Sequence, residues 1–203
     1  MDAERPAPSS RGAGREDAIL AAAAELVTEI GYERVTVDAI AARAKSSKAT
    51  MYRRWAGKAE LVAEALRRSA EGAGTAPPDT GTVRGDLLDA VAGITRAVTG
   101  AGGPALLGLV EGIRSDPALR EFIADQIGRR GRIDAEMISA RARARGEAAA
   151  TERVVLALDV AIARVLLLTL LRGAPLDEAA QQDLVDEVLL PLLAPRTNPH
   201  AGI

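Results

Sequence analysis

Apolar residues recur at helical intervals along most of this chain, and that periodicity constrains its fold more than any other feature. Ile19, Ala23, Leu26 and Ile30 follow one another at intervals of four, three and four residues, which places them on one face of an α-helix. No segment stands out with the alternation of apolar and polar residues that a half-buried strand requires. The sequence therefore predicts an all-α protein of about nine helices, at approximately 15–30, 37–44, 48–54, 58–73, 83–99, 104–113, 117–145, 151–172 and 176–193.

Residues that begin and end helices divide the first part of the chain into short elements. Gly31 is predicted to end the first helix, because glycine adopts a left-handed conformation without Cβ strain. Thr36 and Ser47 are predicted N-caps, whose hydroxyls accept from free amides in the first turn. Lys45 and Ser46 would form the turn between the two short helices. Such a pair of helices can place the second one in the major groove of DNA.

A short basic segment coincides with this pair of helices. Residues 43–58 contain six basic side chains, no acid, all three lysines of the chain and two of its four aromatic residues. The whole chain carries a net charge of −2, so it is not a general polycation. A local basic segment with hydroxyl residues and a tyrosine is typical of a surface that contacts DNA phosphates. The alternative, a solvated helix face with chance clustering of lysines, does not account for the flanking helical pattern.

The segment 18–66 resembles the TetR family of transcriptional regulators. The motifs that carry the resemblance stand in family order: Gly31-Tyr32, Thr36, Ile40-Ala41, the run SKATMY at 47–52, Trp55 and Lys58. The resemblance implies an N-terminal three-helix helix-turn-helix DNA-binding domain and a C-terminal helical bundle for ligand binding and dimerisation. It also implies a DNA-binding regulator. An enzyme is separately disfavoured, because no plausible catalytic constellation is found in the sequence.

The resemblance assigns individual DNA contacts. Lys48 and Thr50 would approach base edges or nearby phosphates, and the hydroxyl of Tyr52 would bind a phosphate. The predicted set is Thr36, Lys45, Ser46, Ser47, Lys48, Ala49, Thr50, Tyr52, Arg53 and Lys58. Many family members have glycine where Lys45 stands. Either this turn avoids the left-handed region, or a phosphate contact by Lys45 compensates for the strain.

Composition and the resemblance together suggest how the chain is divided. Proline, glycine and serine dominate residues 5–14, and composition typical of a loop returns at 72–82. The predicted division is a disordered arm (1–14), the helix-turn-helix domain (15–68), the ligand-binding and dimerisation domain (69–196) and a flexible tail (197–203). Gly128 and Gly131 leave open whether 117–145 is one helix or two.

Several kinds of function are disfavoured by what the sequence lacks. There is no cysteine, which excludes disulfides, thiolate nucleophiles and cysteine metal sites, and the one histidine is His200 near the C-terminus. The N-terminus does not resemble a secretory signal. The apolar run Val154–Leu171 contains Asp159 and Arg164 and is expected to be too short and too charged to span a bilayer. We therefore expect a cytoplasmic protein without metal, cofactor or membrane partner.

The C-terminal residues give weaker signals. The predicted ligand-pocket residues are Leu87, Val91, Ile94, Leu106, Val110, Phe122, Ile123, Met137 and Arg164, although ordinary core packing is favoured for each aliphatic one. The predicted dimer-interface residues are Asp159, Leu167, Leu184 and Val188. Asp159 and Arg164 either pair within the dimer or line a polar corner of the pocket, because charges in an apolar helix are costly when unpaired.

The resulting functional hypothesis is a ligand-responsive repressor. A homodimer would bind double-stranded DNA at a near-palindromic operator, and an unknown small-molecule effector would release it. The alternative is a DNA-binding architectural or protein-interaction module that uses no small ligand.

Overall fold

The computed structural model describes residues 10–71, 78–99 and 108–194. Within these ranges all regular secondary structure is helical, which confirms the predicted all-α class. Most of the predicted arm, Leu106, His200 and the predicted tail lie outside the described residues.

The helices follow the predicted order closely. They are α1 (Ser10–Ile30), a 3₁₀ helix (Tyr32–Arg34), α2 (Val37–Arg43), α3 (Lys48–Tyr52), α4 (Lys58–Glu71), α5 (Val83–Thr99), α6 (Val110–Ser115), α7 (Pro117–Ala144), α8 (Thr151–Arg172), α9 (Glu178–Asp183), a π-helical segment (Leu184–Leu189) and α10 (Leu190–Leu193).

The first helix starts earlier than expected. Residues 10–14 were assigned to a disordered arm, but α1 begins at Ser10 and runs unbroken to Ile30. Glycine and serine lower helix propensity only modestly, and each residue added to an existing helix gains a backbone hydrogen bond. α1 ends at Ile30, immediately before Gly31 as predicted, but Gly31 combines φ 75° with ψ 154° and is not in the left-handed helical conformation expected there.

The described residues form two compact units. The first contains residues 10–71 and 108–125, and the second contains 78–99 and 126–194. The predicted boundary between the two folded domains lay near residue 68, and the grouping of 108–125 with the N-terminal unit was not predicted. Residues 108–125 group with this unit because α6 packs against the 3₁₀ helix at Tyr32–Arg34.

The core of the first unit lies between α1, α2 and α4. Ile19, Ala23 and Leu26 are buried, as the periodicity predicts, and α1 packs against both other helices. Trp55 is 5% exposed and belongs to this core, as expected for a large apolar ring. The core therefore supports the short helices α2 and α3 from behind.

The core of the second unit centres on α8, which packs against α5 and the C-terminal helical segments. By length and composition alone, α8 is long and apolar enough to cross a membrane, so the expectation that this run is too short and too charged was wrong. Its buried residues, at helical spacing, are Val154, Ala157, Leu158, Ala161, Val165 and Leu168. These residues make one face of α8 a core face, but only 33% of its most apolar window is buried, so the predicted burial holds for that face alone.

Of the two alternatives for α7, the structure shows one continuous helix. It passes through Gly128 and Gly131, and a methyl group at either position would meet no neighbouring atom. Neither glycine is therefore required by close packing, and each costs the helix only about 1 kcal/mol relative to alanine.

A buried carboxylate holds the beginning of α5. Asp86 has no exposed surface and accepts hydrogen bonds from Thr80 N at 3.0 Å, Thr80 Oγ1 at 2.8 Å and Arg145 Nη2 at 2.9 Å. Arg145 also donates to Glu147, whose other oxygen accepts from Val83 N at 3.0 Å. Burial alone would raise the pKa of Asp86, but the bonds from Thr80 and Arg145 outweigh it and hold the pKa below its ordinary value. The network joins α5 to the turn after α7.

Candidate nucleic-acid interface

The turn between α2 and α3 is a Schellman motif that requires a left-handed residue. Ser46 N donates to Ala41 O at 2.9 Å and Lys45 N donates to Ala42 O at 3.3 Å, which satisfies the last carbonyls of α2. Lys45 has a φ of 49°. The structure therefore excludes the alternative in which the turn at Lys45 avoids the left-handed region. The glycine common in the family at this position therefore has a backbone reason.

Replacing Lys45 with glycine is expected to raise the free energy of unfolding by about 0.5–1 kcal/mol, because glycine adopts the left-handed conformation without Cβ strain. Thermal unfolding followed by circular dichroism would measure the change. Lys45→Ala is the matched control: it removes the same charge but keeps a Cβ, so it should give no such gain. An equal gain in both variants would show that charge, not backbone strain, limits stability here.

Both predicted N-caps are confirmed. Thr36 Oγ1 accepts from Ala39 N at 3.1 Å, and Ser47 Oγ accepts from Thr50 N at 3.2 Å. The hydroxyls of Ser47 and Thr50 also lie 2.9 Å apart. The two contacts of Ser47 stabilise α3, a helix of only five residues. The Thr36 hydroxyl is exposed and uses only a lone pair as a cap, so its proton can still be donated to a phosphate.

The two faces of α3 differ sharply. Met51 is 1% exposed and anchors the helix to the core, whereas Tyr52 is 57% exposed. The predicted contact residues with exposed side chains are Thr36, Lys45, Ser47, Lys48, Ala49, Tyr52 and Arg53, and Thr50 is half-buried. Ser46 differs from the prediction, because its hydroxyl is buried and finds no hydrogen-bond partner among the described residues. It is part of the turn and not of the exposed face.

Acidic residues from outside the basic segment pair with several of its cations. The Lys48 ammonium forms an ion pair with Asp38, and Arg43 makes a bidentate contact with Glu29 at 2.6 and 2.7 Å. Arg54 pairs with Glu16 at 2.6 Å. Sequence reasoning missed these partners, since the separations do not match helical i,i+3 or i,i+4 spacing. Within the described ranges, the exposed cations of this segment that show no ion pair are Lys45 and Arg53.

Asp38 is expected to weaken binding to DNA of random sequence, because its carboxylate competes with phosphates for Lys48 and repels them. Asp38→Asn should raise affinity for a random-sequence duplex about threefold at low salt, with a smaller change at high salt. Fluorescence anisotropy of a labelled duplex would measure this.

The matched control for Asp38 is Asp17→Asn. Asp17 pairs with Arg68 at 2.7 Å in the same unit, and its replacement changes the net charge by the same amount. An equal rise in affinity for both variants would contradict a local role for Asp38.

The predicted ligand-pocket residues fall into both units. Leu87 and Val91 are fully buried in the core of the second unit, with Ile94 packed against it, whereas Phe122 and Ile123 pack against the first core. Met137 is half-buried, while Val110 and Arg164 are exposed. The structure adds an open cleft of about 350 Å³ in the second unit that the sequence did not indicate, lined by Val83, Glu147, Ala148, Leu190, Leu193 and Ala194.

Three of the four predicted interface residues lie on the surface of the single chain. Leu167 and Val188 are 44% and 40% exposed, and Asp159 is exposed. The interface prediction for Leu184 was wrong, because this side chain is only 6% exposed and packs into the core of its own unit. The structure adds exposed leucines on α8 that were not singled out, at positions Leu156, Leu170 and Leu171.

Comparison with protein families accounts for most of the chain. The family described as "Bacterial regulatory proteins, tetR family" matches residues 19–65, and "Tetracyclin repressor-like, C-terminal domain" matches residues 77–188. The chain belongs to the TetR family of transcriptional regulators. It is a DNA-binding transcriptional regulator, with α2 and α3 as the helix-turn-helix.

Relatives over the full length agree with this assignment. The chain is 37% identical over 187 residues to the "DNA-binding transcriptional repressor TetR" of Mycobacteroides abscessus, covering 92% of this chain and 97% of the relative. It is 35% identical over 199 residues to an "Uncharacterized HTH-type transcriptional regulator" of Mycobacterium tuberculosis, covering 96% of each.

Solved structures show the same fold. The TetR family transcription regulator SCO0332 is 26% identical, covers 89% of this chain and 99% of its own, and has a TM-score of 0.61. The multidrug binding protein EbrR, in complex with imidazole, is 24% identical, covers 90% and 97%, and also has a TM-score of 0.61. At these identities the EbrR likeness supports the fold alone.

Proposed function

We propose that this TetR-family regulator is a repressor that binds a near-palindromic operator as a homodimer and leaves it when a small molecule binds. The observation that carries the DNA contact is the exposed face of α3, which presents Tyr52, Lys48 and Arg53 on a helix held from behind by Met51. Lys58, the first residue of α4, adds a phosphate contact in this proposal. Repression is supported by the named repressor among the relatives.

The homodimer is proposed from the apolar surface of the second unit. Leu156, Leu167, Leu170 and Leu171 are between 40% and 78% exposed on α8, and Val188 adds to them. Monomeric proteins seldom expose so many large aliphatic residues on one helix. Two copies joined there would carry two reading helices related by a two-fold axis, so the operator should be nearly palindromic.

The small-molecule effector is proposed from the fold and from similar proteins. EbrR has been solved with ethidium bound, and another structural neighbour is the flavonoid-responsive regulator FrrA. A ligand that binds one conformation of the second unit more tightly would shift the protein toward that conformation. A regulator that acts on DNA in this way would work in the cytoplasm.

Selection of bound duplexes from random DNA is the most direct test. We expect an enriched near-palindrome, bound far more tightly than a scrambled duplex of equal length at about 0.15 M salt. Light scattering should give the mass of a dimer. Enrichment of no sequence would contradict operator recognition, and an asymmetric half-site would contradict the two-fold dimer.

The effector is tested with the selected operator. A panel of planar cations and flavonoids is screened for compounds that raise the melting temperature. Compounds that do so should also release the operator, and a compound that stabilises the protein without changing operator affinity would contradict induction by that compound.

A further inference from the structure

Tyr32 is a buried tyrosine at which separate segments of the first unit meet. It is 2% exposed, and its backbone N donates to Gly108 O at 3.0 Å. Its hydroxyl donates to Asp116 Oδ2 at 2.5 Å, while its carbonyl accepts from Lys58 Nζ at 3.1 Å. One residue thus joins the segment 108–116 to the beginning of α4.

The position of the Tyr32 ring is tightly determined. A methyl group at Gly112 would overlap the ring, so α6 can approach this closely only with glycine there. Asp116 is itself held, since its Oδ1 accepts from Ala118 N at 3.0 Å and Leu119 N at 3.2 Å. The hydrogen bond from Tyr32 holds the pKa of Asp116 below its usual range, so the carboxylate remains an acceptor at neutral pH.

Lys58 is held against the same ring. Its ammonium lies 4.1 Å from the centroid of Tyr32, within the range of a cation–π contact, and it also donates to the Tyr32 carbonyl. A lysine ammonium has three N–H donors. The carbonyl and the ring face engage two of them, and the half-buried side chain leaves the third for another acceptor.

We propose that Tyr32 and Asp116 are positioning residues for DNA binding, which hold the Lys58 ammonium where its remaining N–H donates to a backbone phosphate. The inference rests on the phosphate contact proposed above for Lys58. It explains why that contact would be strong, because a lysine already immobilised loses less side-chain freedom on binding. In this proposal Asp116 fixes the hydroxyl of Tyr32, and the ring and carbonyl of Tyr32 fix Lys58. Neither Tyr32 nor Asp116 touches DNA.

A double-mutant cycle tests this. Gly112→Ala displaces the Tyr32 ring while Lys58 and the exposed residues of α3 are left unsubstituted. Affinity for the selected operator and for a random-sequence duplex is measured over a salt series in the wild type, Gly112→Ala, Lys58→Met and the double variant. Lys58→Met should reduce the slope of log affinity against log salt by about 0.9, the value for one phosphate. Gly112→Ala should weaken both duplexes about threefold in the wild type and not at all beside Lys58→Met.

Two further variants separate positioning from folding. Tyr32→Phe keeps the ring but removes the bond to Asp116, and it should weaken DNA binding in the same Lys58-dependent way. Ser115→Ala is the matched control, because Ser115 precedes Asp116 directly but its hydroxyl donates to Glu33 instead of Tyr32. It should bind DNA as the wild type does, and melting curves should show every variant folded at the assay temperature.

The outcomes that overturn the proposal are distinct from those that overturn repression. An equal loss from Gly112→Ala and Tyr32→Phe with or without Lys58 would make Tyr32 a purely structural residue. An unchanged salt slope in Lys58→Met would remove the phosphate contact. A preserved effect of Lys58 on random DNA, without any selected operator, would count against the repressor proposal alone.

Discussion

Replacing Asp86 with alanine is expected to lower the free energy of unfolding of the second unit by about 2–4 kcal/mol. The side chain has no exposed surface and accepts hydrogen bonds from Thr80 and Arg145, so the variant removes the buried acceptor that these part-buried hydrogen bonds share. Arg145 keeps its contacts with Asp79 and Glu147, which limits the loss. Denaturant titration followed by circular dichroism would measure it.

Asp186→Ala is the matched control for Asp86. Asp186 pairs with Arg84 at 2.6 Å in the same unit, but both side chains are over two-fifths exposed. Exposed ion pairs contribute little because water and salt screen them. A loss from Asp186→Ala as large as that from Asp86→Ala would contradict the importance of burial.

The contribution of Asp86 should depend on pH in a defined direction. Its folded-state pKa lies below its ordinary value, so the charged form stabilises the folded state above the unfolded-state pKa. The stability lost in Asp86→Asn should therefore be greatest near neutral pH and should shrink as the pH falls from about 5 toward 3 and below. If the difference in free energy of unfolding between the wild type and Asp86→Asn stays constant over this range, the hydrogen bonds of Asp86 matter and its charge does not.

Lys48→Ala is expected to lower operator affinity about tenfold or more, because a base or phosphate contact at the start of the reading helix would be lost. Lys48 is the first residue of α3, and its ammonium is exposed beside Asp38. Fluorescence anisotropy with the selected operator would measure the loss. The affinity for random DNA tells the two kinds of contact apart, since a base contact affects mainly the operator and a phosphate contact affects both duplexes.

Arg68→Ala is the matched control for Lys48. Arg68 pairs with Asp17 in the same unit, and its removal changes the net charge equally. Its effect on operator affinity should be small. Equal losses for Lys48→Ala and Arg68→Ala would mean that overall charge, not the placement of Lys48 on α3, governs binding.

The predictions from sequence that the structure confirmed concern neighbours along the chain. Thr36 and Ser47 cap helices through amides three residues later. α1 ends at Ile30, immediately before Gly31, as the position of that glycine predicted. The helical periodicity also placed Ile19, Ala23 and Leu26 in the core. Each of these follows from a spacing of a few residues.

The incorrect or missing predictions concern partners that are distant along the chain. Leu184 was assigned to a dimer interface, although its periodicity could not distinguish that surface from the core of its own unit. The ion pair between Lys48 and Asp38 and the cleft beside Glu147 left no local pattern. A helical stripe shows that a face is buried, but it does not show what covers that face.

By itself, the sequence determined the all-α class, the helix-turn-helix with its caps and the family, because local hydrogen bonds and apolar spacing carry that information. Only the tertiary structure decided how the charges and buried polar groups are used. Tyr32 and Asp116 meet across 84 residues, and Arg145 and Asp86 across 59. No periodicity encodes such separations, because the partners are brought together only when the helices pack.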